Sequence, residues 1–531
     1  MAAAALALGQ SSRARSVAVL SPWITALVIL AGMFMAVLDQ TVVNVALPTV
    51  IATFNASIHT SQLVITVYTL SSAIMTPTTG YLADTYGAKR LWLTALTVFI
   101  TFSFMCSFSW NVEVLAIFRV LQGIGGGLLM PTGQAMLFKA IPPEQRGRTQ
   151  GVLGLAILAA PALGPTVGGY LVTNLSWRAV FLINIPVGIV AIFLASTLLE
   201  EQATIPGLRA DFAGFVAAGV AFGCALYAFT NGPTDGWTAP HIEVLLGVSG
   251  IFFLAWIVIE LTAADPLLDL RLFKDWFFSL GTFVVFVIVL ALFGAEFLLP
   301  LLLQSLRGLS AFDAGLLLLG QGLAAAVASL IGGFLFNKVG ARWLLIVGFT
   351  ANAIATFLLA KIDVTTPDST TQLILVIRGL AFGLSFMPIN LALMNRIPRE
   401  QLNRATALLT SVRLIFASFG VAVMATVVTT RTTFHQAVLS DGVTSTSVAA
   451  NRFIAAASGQ LIQHGWTAPH ARELALSLLN GMLQQRASVL SFDDAFLIMS
   501  VLSVAAIVPA FFLNARRGSA EGAPEQGALM H

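Results

Sequence analysis

Long apolar stretches alternate with short polar breaks from one end of this chain to the other. A helix needs about 20 apolar residues to cross a bilayer. Fourteen stretches reach that length: 22–48, 58–80, 90–110, 113–138, 149–172, 179–199, 211–230, 241–261, 276–304, 313–336, 342–361, 371–394, 402–430 and 492–514. The pattern predicts an all-α polytopic membrane protein with 14 transmembrane helices. Residues 1–21 carry Arg13 and Arg15 ahead of the first span. They read as a cytoplasmic segment rather than a cleaved signal. The following apolar run continues through Asp39 to Pro48, too long and too polar in its middle for a signal core.

An even number of spans places both ends of the chain on one side. Most of the 27 Lys and Arg residues, among them Lys89, Arg90, Lys139, Arg146, Arg148, Lys338, Arg342, Arg396 and Arg404, fall in segments on the side of the N-terminus. Basic loops stay in the cytoplasm, so both termini are expected there, with the protein in the cell (inner) membrane.

Composition agrees and excludes other classes. Apolar residues make up 57% and charged residues 10% of the 531 positions, against about 25% charged in soluble domains. The net charge of +3 comes with no basic stripe, so nucleic acid is not an expected partner. Cys106 and Cys224 both lie inside apolar runs, and no histidine spacing resembles a metal motif. No clustered nucleophile, base or metal set points to an enzyme. No metal and no cofactor are expected.

The chain repeats itself. Gly80, Asp84, Gly87 and Lys89 follow the second span as Gly333, Asn337, Gly340 and Arg342 follow the tenth. Ile141-Pro142, Glu144, Gln145 and Arg148 follow the fourth span as Ile397-Pro398, Glu400, Gln401 and Arg404 follow the twelfth. Two six-helix bundles are therefore expected, over 22–199 and 276–514. A linker over 200–275 adds two inserted helices, and 515–531 is a cytoplasmic tail. Duplicated bundles suit a transporter whose site lies between the halves and whose halves rock for alternating access. The outer loop 431–490 shows helical apolar spacing over Asn451–His464 and Pro469–Leu490. It is a surface on which a periplasmic adaptor protein would dock; a packed connector is the alternative.

Ionisable residues inside spans cost several kcal/mol, so they normally have a partner and a purpose. Asp39 stands about 25 Å along a helix that begins at Pro22, and Arg119 about 9 Å below an outer end at Glu113. Both fall in the outer half of a core about 30 Å thick. Glu296 and Arg378 share that half by the same reckoning and are their repeat mates. An acid and an arginine at one depth suit proton coupling, because a neighbouring guanidinium and a low dielectric act oppositely on a carboxylate. A permanent salt bridge that only joins helices is the alternative. Arg413, near the loop residue Arg404, is expected to snorkel toward the cytoplasm.

Glycines and prolines mark two spans. Gly123, Gly125, Gly126 and Gly127 follow Arg119 without the lysine of a nucleotide loop. Pro161, Gly164, Pro165, Gly168 and Gly169 on the fifth span favour close packing and a kink, the features of a hinge helix.

Taken together these residues resemble the major facilitator superfamily, in particular its fourteen-span drug:proton antiporters of the EmrB/QacA type. Leu38-Asp39 with Thr41 to Pro48 is similar to their first-helix motif, which implies that Asp39 is the coupling acid. Gly80 to Arg90 is similar to the inner-gate loop, with Gly80, Asp84 and Gly87 in place. Thr85 and Ala88 depart where the family often has arginine, which moves the expected gate salt bridges onto Lys89 and Arg90. Leu115, Arg119, Gln122, Gly123 and Gly125 match the fourth-helix motif, and Gly164-Pro165 with Gly168-Gly169 the fifth-helix motif of antiporters. Ser176-Trp177-Arg178 and Phe181 to Pro186 are also similar to this group.

The resemblance implies the major facilitator fold and a proton-coupled antiporter, driven by a proton gradient. Its cargo would be lipophilic, cationic drugs or toxic compounds. Export of a specific native metabolite, lipid or siderophore is the alternative. The substrate pocket is expected to use polar Asn44, Gln122, Gln304 and Asn390 with Met130, Phe293, Phe382 and Met387. Adaptable apolar linings of that kind accept many shapes. A monomer is expected.

Overall fold

The computed structural model describes residues 22–55, 58–208, 211–309, 311–363, 366–443 and 447–513. The terminal segments 1–21 and 514–531 lie outside the described residues. Among those described, every regular element is helical. The first half holds α1 (Pro22–Phe54), α2 (Ile58–Met75), the short α3 (Thr79–Tyr86), α4 (Ala88–Ser107), α5 (Val112–Ala140), α6 (Pro143–Asn174), α7 (Ala179–Leu182) and α8 (Asn184–Leu198). Two further helices follow, α9 (Phe212–Asp235) and α10 (Pro240–Thr262). The second half holds α11 (Trp276–Leu301), α12 (Ala311–Val339), α13 (Ala341–Leu359), α14 (Asp368–Met394), α15 (Leu402–Asp441), α16 (Val448–Gln463), α17 (Ala468–Ala505) and α18 (Ile507–Phe512). The end of the bundle that carries Asp84 is called the inner end here, after the basic-residue bias.

Twelve of these helices are long and apolar enough to cross a bilayer. A thirteenth arises if Gln145–Pro161 and Thr166–Asn174, bent by 44°, form one span. The expected fourteen therefore depends on α2 as well, and α2 is only 18 residues long and rich in Ser, Thr and Gln. Its polarity has a physical use: Ser72 Oγ donates to Gly123 O at 2.8 Å, and Thr76 Oγ1 to Gly127 O at 3.1 Å. Hydroxyls turned onto a neighbouring helix lower the average apolarity of a helix without facing it to lipid.

Gly123 and Gly127 make that contact close. A Cβ on Gly123 would lie 2.5 Å from Tyr68 O, and one on Gly127 2.8 Å from Ser72 Cα. Only a residue without a side chain lets α5 approach the α2 backbone this nearly. The same approach brings Tyr68 and Arg119 together.

The expected outer loop is largely helical. α15 runs on to Asp441, α16 covers Val448–Gln463, and α17 begins at Ala468. Arg431 Nε donates to Asp494 Oδ2 at 2.5 Å, and His435 Nε2 lies 2.8 Å from the same oxygen. These bonds tie the outer part of α15 to α17.

The two halves meet along α6 and α12 and at the inner end of α15. Gly147, Gly151 and Gly154 of α6 recur at helical spacing on the face against α12. A Cβ on Gly333 would lie 3.0 Å from Gly151 Cα, so the two backbones are nearly in contact. Ser329 Oγ donates to Gly151 O across this seam at 3.1 Å.

Candidate functional site

Asp39 and Arg119 meet as depth along their helices requires. Arg119 Nη1 donates to Asp39 Oδ2 at 2.6 Å, and both side chains are 1% exposed or less. The other carboxylate oxygen, Oδ1, accepts from Asn184 Nδ2 at 2.7 Å and from Gln122 Nε2 at 3.1 Å. Gln122 Oε1 in turn accepts from Arg119 Nη1 at 2.8 Å. Arg119 Nε donates to Val64 O at 3.2 Å, and its guanidinium stands 4.0 Å from the centroid of the Tyr68 ring. A buried ion pair is tolerated when its remaining hydrogen-bonding capacity is met. Here four helices supply the partners. Asn184 also donates to Ser103 Oγ at 3.0 Å, which fixes its amide. Asn184 and Ser103 were not among the expected site residues; a neutral polar residue on an apolar helix gives a weak signal.

The repeat mates are wired differently. Glu296 is half-buried, Arg378 fully buried, and no ion pair joins them. Gln321 of α12 stands between: its Nε2 donates to Glu296 Oε1 at 2.7 Å, and its Oε1 accepts from Arg378 Nη1 at 2.9 Å. Arg378 Nη2 donates to Ala291 O at 3.2 Å, while its Nε has no partner. The direct pair expected from the repeat is thus an acid–amide–arginine relay, because α12 inserts a side chain between α11 and α14.

At the inner end Asp84 of α3 reaches across the seam. Asn403 Nδ2 donates to Asp84 Oδ1 at 2.5 Å, and Arg404 Nε lies 3.4 Å from Asp84 Oδ2. Gly80 lets α3 lie against α15, since a Cβ there would stand 2.9 Å from Arg404 Cα. Arg146 Nη1 adds a bond to Asn395 Oδ1 at 3.1 Å. The expected gate salt bridges on Lys89 and Arg90 do not cross between halves. Lys89 Nζ donates to Ser196 O at 2.9 Å and to Leu199 O at 2.5 Å. The largely exposed Arg90 pairs with Glu201 at 3.5 Å. Gly87, with φ of 93°, ends α3 and starts α4 in a conformation that other residues resist. The turn directs both basic side chains toward the end of α8 within their own half.

The expected pocket residues divide by depth. Phe382, Met387 and Asn390 are buried together on α14, with Phe382 stacked on Phe386 at a centroid distance of 5.2 Å. Gln122 belongs to the Asp39 centre. Met130 packs on the apolar core of the first half. Asn44, Phe293 and Gln304 are exposed on the outer parts of their elements, as is Gln40 one turn from Asn44. α6, the expected hinge helix, presents Gly164 and Gly168 to Thr41 and Val42 of α1. Pro161 is exposed and Gly169 has open space, while the side chain of Pro165 lies outside the described residues. The outer glycines therefore face the first half and the inner ones the second, with the bend between the two sets.

Arg413 departs most from expectation. It does not snorkel to the inner end but joins the two halves. Its Nη2 donates to Gln134 Oε1 of α5 at 3.1 Å, and its Nη1 to Asn390 Oδ1 of α14 at 3.2 Å. Among the described residues no three His, Cys, Asp or Glu side chains cluster as metal ligands.

Known proteins share this architecture. The family profile described as Major Facilitator Superfamily matches residues 29–421. The chain is 31% identical over 513 residues to the uncharacterized MFS-type transporter YhcA of Bacillus subtilis, covering 96% of this chain and 95% of that protein. It is 31% identical over 427 residues to the probable multidrug resistance protein EmrY of Escherichia coli, covering 79% and 82% of the two chains. The crystal structure of the human organic anion transporter MFSD10 superposes with a TM-score of 0.62 at 12% identity, covering 92% of this chain and 99% of that one. At that identity the likeness concerns the fold alone.

Proposed function

This chain belongs to the Major Facilitator Superfamily, and from that premise we propose that it is a proton-coupled antiporter exporting lipophilic, cationic drugs or toxic compounds. Membership makes it a multi-pass membrane transporter of small molecules rather than an enzyme. The finer reading has one principal support, the buried Asp39–Arg119 centre with every carboxylate oxygen engaged. A proton arriving on Asp39 removes the charge that holds Arg119 Nη1. Arg119 keeps Gln122, Val64 O and the Tyr68 face, so α5 stays on α2 while the tie between α1 and α5 weakens from an ion pair to the neutral Gln122–Asp39 bond. Because α1 also carries Thr41 and Val42 against Gly164 and Gly168, this weakening reaches the hinge helix α6. Energy comes from a proton gradient, with no cofactor.

The bonds across the inner end suit an inward-closed state, in which exposed Asn44, Gln40 and Phe293 line the outer approach. In this reading residues 22–199 and 276–514 are the rocking bundles and 200–275 the inserted pair. The protein is a monomer in the cytoplasmic membrane with both termini inside, and the helical outer segment is where an adaptor would dock. The multidrug resistance name of a relative at 31% identity supports drug efflux and antibiotic resistance as the physiological role.

The test loads exporter-deficient cells with a fluorescent lipophilic cation. Uncoupler-sensitive efflux by the wild type, abolished in Asp39→Asn, is expected. Equal retention in wild-type and empty cells, with the protein present in the membrane, would rule out broad cation export.

A further inference from the structure

The seam between the halves holds a guanidinium with no carboxylate beside it. Arg413 is half-buried, and its hydrogen bonds go to Leu409 O, Asn390 Oδ1, Gln134 Oε1 and Thr410 Oγ1. All four acceptors are neutral, and all four distances are 3.1 or 3.2 Å. Charge-assisted bonds from a guanidinium to an anion are shorter, about 2.7–2.9 Å. Two other arginines of this chain do have such an anion, Arg119 at 2.6 Å from Asp39 and Arg307 at 2.7 Å from Asp368. Even Arg378 is coupled to Glu296 through an amide. Arg413 alone of these is solvated only by dipoles.

Among the described residues no carboxylate is paired with Arg413. Arg413 lies about 14 Å along α15 from Arg404, near the middle of a bilayer core about 30 Å thick. Asp39 sits at the level of Gln122, about 18 Å along α5 from Gln134, and is already held by three donors. Glu296 is joined to Arg378, about 18 Å along α14 from Asn390. Asp368 and Glu113 stand at the far outer ends of those helices. An unpaired charge at this depth costs several kcal/mol and marks a pathway for ions or substrate.

The surroundings define what would fit. The guanidinium stands 5.8 Å from the Phe386 ring centroid, and Phe386 is stacked on Phe382. Its acceptors come from both halves, so separation of the halves at the inner end would strip Gln134 from it and open an N–H fork. A planar carboxylate matches that fork in two parallel bonds.

We infer that Arg413 is an anion subsite of the translocation path, which binds the carboxylate-class group of an aromatic organic acid or zwitterion. The inference rests on the exporter reading only in calling that compound a cargo. Glu296 and Arg413 then set opposite charges at two depths, an arrangement that a zwitterionic lipophile satisfies better than a simple cation.

The test measures equilibrium binding to the purified full-length protein in lipid nanodiscs by fluorescence anisotropy. Its probes are two matched rhodamines, a cationic methyl ester and the zwitterionic free acid. The free acid is expected to bind the wild type saturably. Arg413→Gln should lower the acid-to-ester affinity ratio about tenfold, the loss of one charge-assisted hydrogen-bonded contact. Gln134→Glu keeps the arginine and places a competing carboxylate on it, so it should lower the ratio similarly. Arg413→Lys should fall between, since lysine keeps the charge without the fork. An unchanged ratio in Gln134→Glu and Arg413→Gln, or no saturable binding of the free acid to the wild type, overturns the inference. Because no gradient is present, this result is independent of uncoupler-sensitive efflux, and either reading can fail alone.

Discussion

Arg119 touches Asp39 directly at 2.6 Å, whereas their repeat mates Arg378 and Glu296 communicate only through Gln321. The duplicated halves therefore hold the same charges at the same depth with different couplings. In the first half a proton on the acid breaks an ion pair. In the second it alters one hydrogen bond of a neutral amide, and Arg378 keeps its backbone acceptor.

Replacing Asp39 by Asn should destabilise the protein strongly, because Arg119 keeps a buried charge without a counter-ion. The expected cost is about 3–5 kcal/mol. Asp39→Asn combined with Arg119→Gln should recover much of the loss. Thermal unfolding of the single and double variants in detergent measures both; an Asp39→Asn protein as stable as the wild type would falsify a buried charged pair.

Gln321→Leu should cost less, about 1–3 kcal/mol, since it removes a neutral bridge and leaves two polar groups short of a partner. The same unfolding series ranks the two centres. A loss larger than that of Asp39→Asn would reverse the order argued here.

Asp84→Asn should loosen the inner end, because the carboxylate that accepts from Asn403 and faces Arg404 loses its charge. A reporter cysteine placed at Ser329, which is fully buried against α6, in a background lacking Cys106 and Cys224, gives the readout. Its labelling by an impermeant maleimide from the inner face should rise in Asp84→Asn. Unchanged labelling would mean that helix packing at Gly151 and Gly333 closes that end without Asp84.

Arg90→Ala should change stability by less than about 0.5 kcal/mol, because its pairing with Glu201 is exposed and screened. It should also leave Ser329→Cys labelling unaltered. A labelling increase equal to that of Asp84→Asn would restore Arg90 to the crossing between halves.

The alternation of apolar and polar segments, read with the rise of a helix, was enough to predict a polytopic helical bundle and the shared depth of Asp39 and Arg119. Those features were legible because a charge in a span normally shares its depth with a partner, and depth follows from counting residues. The bend of α6 was legible from Pro161 and Pro165, although not which neighbour each of its glycines would meet. The direction in which a side chain leaves its helix is set by packing against other helices. Counting residues could not reveal that Gln321 separates Glu296 from Arg378, or that Asp84 meets Asn403 and Arg404 across the seam. Nor could it reveal that Arg413 turns inward to Gln134 and Asn390. Each of these contacts joins helices far apart in the chain, and their rotation and register are decided only when the two halves close on each other.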